Sequence, residues 1–478
     1  MEYEIVIGLE IHSELKTGSK IFCGCKNEFG AEPNTQTCPV CLGMPGTLPV
    51  LNKTAVELAV KAGLAMNCKI SSFSKMDRKN YFYPDLPKAY QISQYDLPIC
   101  YDGYVDIELA GEAKRIGIER IHMEEDAGKL MHDPYAQGSL IDYNRCGVPL
   151  IEIVTRPDMR SPEEARIFLE TVRTILEYTE VSDCRMQEGS IRADVNLSIR
   201  KPGEKLGTRT EMKNINSLRA VQRAGEAEAK RQAEVLAGGG RVIQETRRWD
   251  DNRGESYSMR SKEEAMDYRY FPEPDLVPIV IDPEWLENIG RGIPELPASR
   301  KERYINDMGI PKYDAALITM SKPIAEMFET ASGICGNPKA VSNWIMTDIM
   351  RRVNEKGESV LESGLDGKSL GRILHYIEKG EITPGSARKV LDILIDEGGE
   401  PDSIIETNGL KVQRDEGLVS GAIRSIIEQN PQAVADYAAG KEKAFGFLMG
   451  KIMAALKGKG DPGQIREVLT EALRIGDR

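Results

Sequence analysis

Up to about Pro278 the chain mixes strand-like alternation with a few strong helical stretches, and beyond Pro297 the spacing is almost wholly helical. Ile5 to Leu15 alternates, with Leu9, Ile11 and Ser13 on one side and Glu10, His12 and Glu14 on the other, as a strand with one apolar face requires. Ile191 to Ile199 does the same: Ala193, Val195 and Leu197 oppose Arg192, Asp194, Asn196 and Ser198. One face of each strand is then free to carry chemistry. Ser161-Pro162-Glu163-Glu164 predicts a helix start, with a Ser cap, Pro at the first position and Glu three residues after the cap. Ala165, Phe168, Leu169, Val172, Ile175 and Leu176 keep helical spacing behind it. A second helix is predicted from near Ser217 to the Gly238-Gly239-Gly240 stop. Pro272, Pro274, Pro278, Pro283, Pro294 and Pro297 break both periodicities and predict a linker, or a closing strand with loops. Gly380 to Pro384, Gly398 to Pro401 and Gly458 to Pro462 read as turns between short helices. Boundaries fall after Ile293 and near Asn408, giving segments 1–293, 294–407 and 408–478, with no internal repeat.

At 478 residues the chain exceeds what one hydrophobic core organises, in keeping with two or three domains. Met1 to Leu15 carries Glu2 and Glu4 where a signal peptide would have Lys or Arg, and no stretch approaches a membrane span. The expectation is a cytoplasmic protein that does not enter a membrane. A formal charge of −12 does not suggest a protein that coats nucleic acid by bulk electrostatics. From Lys411 to Arg478, however, eleven Lys and Arg stand against nine Asp and Glu. A mildly basic tail on an acidic body permits RNA contact there.

Four of the nine cysteines crowd into Cys23-Gly24-Cys25 and Cys38-Pro39-Val40-Cys41. Two close thiolate pairs joined by a polar loop suit a tetrahedral zinc site, and four thiolates leave no open position, so such a zinc is structural. Free buried thiols, or a redox role for the second pair, are the alternatives.

Carboxylates recur on the polar strand faces. Glu10, His12 and Glu14 share one; Ile121-His122-Met123-Glu124-Glu125-Asp126 ends another candidate strand; Asp194 lies beside Arg192; and Glu211 sits between Arg209 and Lys213. Singly, each reads as a solvated face. Together the mixture suits magnesium with nucleotide phosphates. Asp77-Arg78-Lys79-Asn80-Tyr81-Phe82-Tyr83-Pro84-Asp85-Leu86-Pro87-Lys88 adds cations and aromatics in a Pro-stiffened loop, suited to a phosphate or a terminal adenosine. No P-loop, kinase Gly-rich loop or dinucleotide fingerprint occurs, so any ATP is bound by another fold.

Gly8-Leu9-Glu10-Ile11-His12-Ser13-Glu14-Leu15, Cys38-Pro39-Val40-Cys41-Leu42-Gly43-Met44-Pro45-Gly46, Lys79 to Lys88, Ile121 to Asp126 and Arg269-Tyr270-Phe271-Pro272-Glu273-Pro274-Asp275-Leu276 together resemble the hallmark stretches of the GatB family, over essentially the whole chain. The related archaeal E subunit carries an inserted domain for which this sequence has no room, so the resemblance is to B. It implies an α+β cradle of mainly antiparallel sheet with helices, glutamine-synthetase-like, over 1–293. A helical domain over 294–407 and a small all-α, YqeY-like, tRNA-binding tail over 408–478 would follow. It implies ATP-dependent phosphorylation of the side-chain carboxylate of Glu-tRNA(Gln) or Asp-tRNA(Asn), and attack on the acyl phosphate by ammonia. By matching position, Glu10, His12, Glu125, Asp194 and Glu211 are the expected magnesium and catalytic set, Lys79, Lys88 and Arg192 the nucleotide-facing cations, and Cys23, Cys25, Cys38 and Cys41 the zinc ligands.

The chain lacks the Gly/Ser-rich segment with a paired Lys of an amidase. With only His12, His122, His132 and His375, it supports a Cys-His glutaminase poorly. Ammonia is therefore expected from a partner resembling the amidase-like A subunit, with a small C subunit tying the two together. Two rival readings are a zinc-containing RNA-binding module without catalysis, which leaves the acidic residues without a role, and a metal-dependent hydrolase, which needs neither tRNA nor partner.

Overall fold

The computed structural model describes residues 3–132, 138–261, 267–356, 365–412, 416–456 and 460–475. The chain forms two compact units, Met1–Pro297 and Ala298–Arg478.

Among the described residues the first unit is built on a nine-stranded sheet. In chain order its strands are β1 (Glu4–Glu14), β2 (Lys69–Ile70), β3 (Cys100–Leu109), β4 (Glu112–Glu125), β5 (Pro149–Thr155), β6 (Ile191–Arg200), β7 (Thr210–Lys213), β8 (Glu245–Asp250) and β9 (Glu255–Ser261). Across the sheet they run β9-β8-β7-β6-β1-β5-β4-β3-β2. Every neighbouring pair is antiparallel except β7 with β8. The N-terminal strand thus occupies the middle, with partners drawn from residues 149–155 and 191–200. One face buries Ile7, Leu9, Ile11, Met123, Ile151, Ile153, Val195 and Leu197, each large side chain contributing about 1.5–3 kcal/mol.

Helices α1 (Lys53–Ala65), α2 (Pro162–Tyr178) and α3 (Leu218–Ala237) cover that face. The predicted caps form: Ser161 Oγ accepts from the Glu164 amide and Ser217 Oγ from that of Ala220, each satisfying one orphan donor of a helix start. Two expectations change. The proline-rich stretch contains a helix, Pro283–Arg291, capped by Asp282 with Pro at its first turn; Pro there starts a helix because its missing N–H has no intrahelical partner to lose. The loop expected from Asp77 begins as a strand, Asp77–Asn80, between Tyr90–Ser93 and Phe271–Pro272 in a small second sheet.

The second unit is helical. Lys322–Cys335 packs on Gly367–Glu378 through Gly371, where an added Cβ would lie 3.0 Å from the Ala331 Cα. Turns join Gly367–Glu378 to Pro384–Glu397 and that helix to Pro401–Thr407, at the expected glycines. Of the third expected turn, Gly458 and Lys459 lie outside the described residues. Val419, Ile423, Leu448, Ile452, Ile465 and Leu469 gather a separate core. Among the described residues no helix is long and apolar enough to cross a membrane.

Candidate functional site

The face of the sheet opposite the helices carries the chemistry, because alternation that buries Leu9 and Ile11 must turn Glu10 and His12 the other way. Cross-strand pairing lines these side chains up. Arg192, His12, Glu152 and His122 stand opposite one another across β6, β1, β5 and β4. On the next line of the same face Glu10 stands opposite Asp194, and Asn196 of β6 stands opposite Glu211.

Two metal-competent groups result, in each of which one ligand atom per residue lies within 4.8 Å of the others. In the first, His12 Nε2 lies 3.7 Å from Glu124 Oε1 and 3.6 Å from Glu152 Oε2. His122 Nε2 lies 3.1 Å from Glu152 Oε2, and the Ser93 hydroxyl donates to Glu124 at 3.2 Å. Burial would raise both carboxyls, but His122 and Lys79 outweigh it and hold them below the usual range. Burial likewise opposes the His122 imidazolium, and its bonds to Glu124 and Glu152 push it up to about 9. Among the described residues its buried Nδ1 has no hydrogen-bond partner.

The second group is Glu10, Asp194 and Glu211. Lys213 Nζ lies 2.6 Å from Asp194 and 3.1 Å from Glu211, Asn196 donates to Glu10 at 3.0 Å, and Thr246 donates to Glu211 at 2.8 Å. Burial, then the charges of Glu152, Glu211 and Asp194, raise the Glu10 carboxyl. Lys213, whose side chain is 42% exposed, thus touches two of the three carboxylates.

Glu125 departs from the expected set. It follows Met123 in the alternation and pairs opposite Pro149, so it projects away from His12. Its carboxylate accepts from Lys88 at 2.5 Å and from the Ile92 amide at 2.9 Å, buried beside the cysteine loop. Lys88 is thereby taken from the polar face as well. Gly43 makes room for it: at φ +63° an added Cβ would lie 2.1 Å from the Lys88 Cγ. Arg192 does lie on the polar face, bonded at 2.9 Å to Asp126, which Arg145 also approaches at 3.3 Å. Burial and then Asp126 push nearby Glu14 up to about 8. Lys79 stands over the rings of Tyr268 and Tyr81, 5.1 and 5.8 Å from their centroids. Its charge is favoured, against burial, by Glu124.

Two members of the first group, Glu124 and Glu152, stand outside the expected magnesium set. Glu124 shares the parity of His122 rather than of Met123, and Glu152 is the single acid inside the apolar run Leu150-Ile151-Glu152-Ile153-Val154. A lone carboxylate in a buried strand is itself a signal, since it needs a partner or a cation.

Cys23, Cys25, Cys38 and Cys41 bring their sulfurs within 4.8 Å of one another, a donor set that could hold a metal ion. The Cys38 amide donates to the Cys41 sulfur at 3.1 Å and Lys20 Nζ lies 3.8 Å from it. The bond from Cys23, then the Cys38 amide and Lys20, pull the Cys41 thiol down to about 5 despite burial.

A family model described as the GatB/GatE catalytic domain matches residues 5–287, and one described as the GatB domain matches residues 326–473. The chain is 58% identical over 477 residues to the B subunit of the aspartyl/glutamyl-tRNA(Asn/Gln) amidotransferase of Caldicellulosiruptor bescii, covering 99% of each chain. The protein of the same name from Thermoanaerobacter sp. is 56% identical over 474 residues, 99% of this chain and 100% of its own. That from Carboxydothermus hydrogenoformans is 52% identical over 479 residues, 99% of each. Both units of the chain are thus matched, with the two acidic groups and the four cysteines inside the catalytic-domain match, and the chain belongs to the GatB family.

Proposed function

We propose that this chain is the transamidating subunit of a cytoplasmic tRNA-dependent amidotransferase. With ATP it phosphorylates the side-chain carboxylate of Glu-tRNA(Gln) or Asp-tRNA(Asn), and ammonia from an amidase-like partner subunit then displaces the phosphate. The observation that carries this reading is the pair of metal-competent groups, His12–Glu124–Glu152 and Glu10–Asp194–Glu211, drawn from five strands onto one sheet face. The donor chemistry fits magnesium: five carboxylates and one imidazole are mostly hard oxygen ligands. Magnesium bound there would neutralise phosphate oxygens and align donor and acceptor for in-line transfer.

A free carboxylate is a poor acyl donor because its leaving group would be oxide. Phosphorylation moves the γ-phosphoryl group of ATP onto a carboxylate oxygen and releases ADP. Ammonia then attacks the carbonyl carbon, the C–O bond to phosphate breaks, and one proton leaves nitrogen. The chain's part is positioning: Lys79 and Arg192 supply positive charge on the same face, and Lys213 holds Asp194 and Glu211 in place. The four thiols fit structural zinc, and the basic helical tail fits contact with the tRNA body. A small C subunit would join the two larger ones.

The test uses the complex assembled with its partner subunits, supplied with ATP, glutamine and either Glu-tRNA(Gln) or Asp-tRNA(Asn). Glu211→Gln should abolish amide formation while glutamine hydrolysis persists. Amide formation at the wild-type rate in that variant would remove the site.

A further inference from the structure

The second acidic group does not end at Lys213. Register carries its line on across the sheet: Glu10 opposite Asp194, Asp194 ion-paired at 2.6 Å with Lys213, Lys213 opposite Arg248, and Arg248 opposite Tyr257. One line of side chains on one face thus runs from acidic through basic to aromatic over strands β1, β6, β7, β8 and β9. Neighbouring strands lie about 4.8 Å apart, so Tyr257 lies about 19 Å from Glu10.

The far end of this line is built unlike a structural surface. Arg248 is exposed and has no ion pair among the described residues, although most arginines of this unit are matched to a carboxylate. Its neighbour Arg247, on the opposite parity, is bonded to Glu245 and Ser256. Tyr257 is 47% exposed. β9 is the edge strand of the sheet, and Arg209, which precedes β7, is exposed as well. An unpaired guanidinium beside an open phenol ring matches a phosphodiester with a stacked base. A mononucleotide whose phosphates reach the acidic group is too short to cover the whole line, whereas a single strand whose terminal ester lies at the acidic end can follow it.

We infer that Arg248 and Tyr257 form a track for the single-stranded acceptor end of the aminoacyl-tRNA, Arg248 holding a backbone phosphate and Tyr257 stacking a base a few nucleotides before the esterified end. This rests on the function proposed above and names the substrate end that the line would seat. The track orients the ester so that the aminoacyl carboxylate falls at Glu10, Asp194 and Glu211, and it is indifferent to which amino acid is attached.

Steady-state kinetics of the assembled complex test it, with Arg248→Ala, Tyr257→Ala, Arg248→Lys and Tyr257→Phe. Each alanine variant should raise KM for aminoacyl-tRNA about tenfold or more, with KM for ATP, glutamine hydrolysis and the thermal midpoint unchanged. Tyr257→Phe should restore the wild-type value because it keeps the stacking face, and the KM of Arg248→Ala should be the less sensitive to salt. A rise in KM for ATP instead would assign the line to the nucleotide and overturn the track, and so would alanine variants with unchanged KM for both substrates. If the wild-type complex amidates no aminoacyl-tRNA, the function proposed above fails; if it does and the variants match it, the track alone fails.

Discussion

The two acidic groups stand on adjacent lines of one sheet face, yet their charge is met in different ways. His12, Glu124 and Glu152 are enclosed by His122 and Lys79, so their negative charge is largely answered from within the fold. Lys213 and the neutral Asn196 and Thr246 touch the second group, and burial, then the charges of Glu152, Glu211 and Asp194, raise the carboxyl of Glu10. The first group is therefore balanced by buried cations, whereas Glu10 of the second keeps a carboxyl raised by burial and by three like charges. Such a division suits a phosphoryl-transfer centre, in which one position persists and the other fills together with the nucleotide.

The largest expected effect falls on catalysis. Glu10→Gln or Glu211→Gln should lower ATP-dependent amide formation about a thousandfold, the order expected when several kcal/mol of metal-borne stabilisation is lost. The rate of amidated tRNA formation measures this, and near-normal rates would dissolve the distinction between a filled site and an acidic surface. Stability in the presence of a chelator separates the groups next. Glu152→Gln removes one of the two buried carboxylates that face His122 and Lys79 and should cost about 3–5 kcal/mol in urea unfolding. Glu10→Gln relieves repulsion from Glu152, Glu211 and Asp194 and should cost far less; equal losses would show that both groups are balanced alike. A smaller effect is expected at His122, which touches both carboxylates of the first group but is not a member of it. His122→Ala should weaken manganese binding there about 10- to 100-fold and leave the second group's affinity unchanged. The smallest effect is expected from the cysteine loop: Cys38→Ser with Cys41→Ser should remove about one equivalent of zinc and alter manganese binding at neither group.

Legibility in the sequence followed how local each feature is. The cysteine cluster needs only two short spacings in one loop, and the helix starts at Ser161 and Ser217 need only a cap and the helical spacing behind it. Glu10, Asp194 and Glu211 were readable because each lies in a strand with clean alternation, although nothing in the sequence shows that β6 would pair with β1 and β7. Glu124 was hidden by three consecutive acids at the end of a strand, where only its phase separates it from Glu125. The apolar residues Ile121 and Met123 fix that phase and place Glu125 with them. Glu152 was hidden by an apolar run that reads as core, since β5 is buried on both sides. The helix at Pro283 was masked because proline density reads as irregular chain unless Asp282 is recognised as a cap. The line out to Tyr257 depends on the parallel pairing of β7 with β8, a long-range fact that no local pattern encodes.

The most direct measurement is the anomalous diffraction of the assembled complex crystallised with manganese and a non-hydrolysable ATP analogue. One peak is expected among His12, Glu124 and Glu152 and a second among Glu10, Asp194 and Glu211, with the analogue's phosphates between them. Manganese and nucleotide bound elsewhere, with both groups empty, would contradict this expectation.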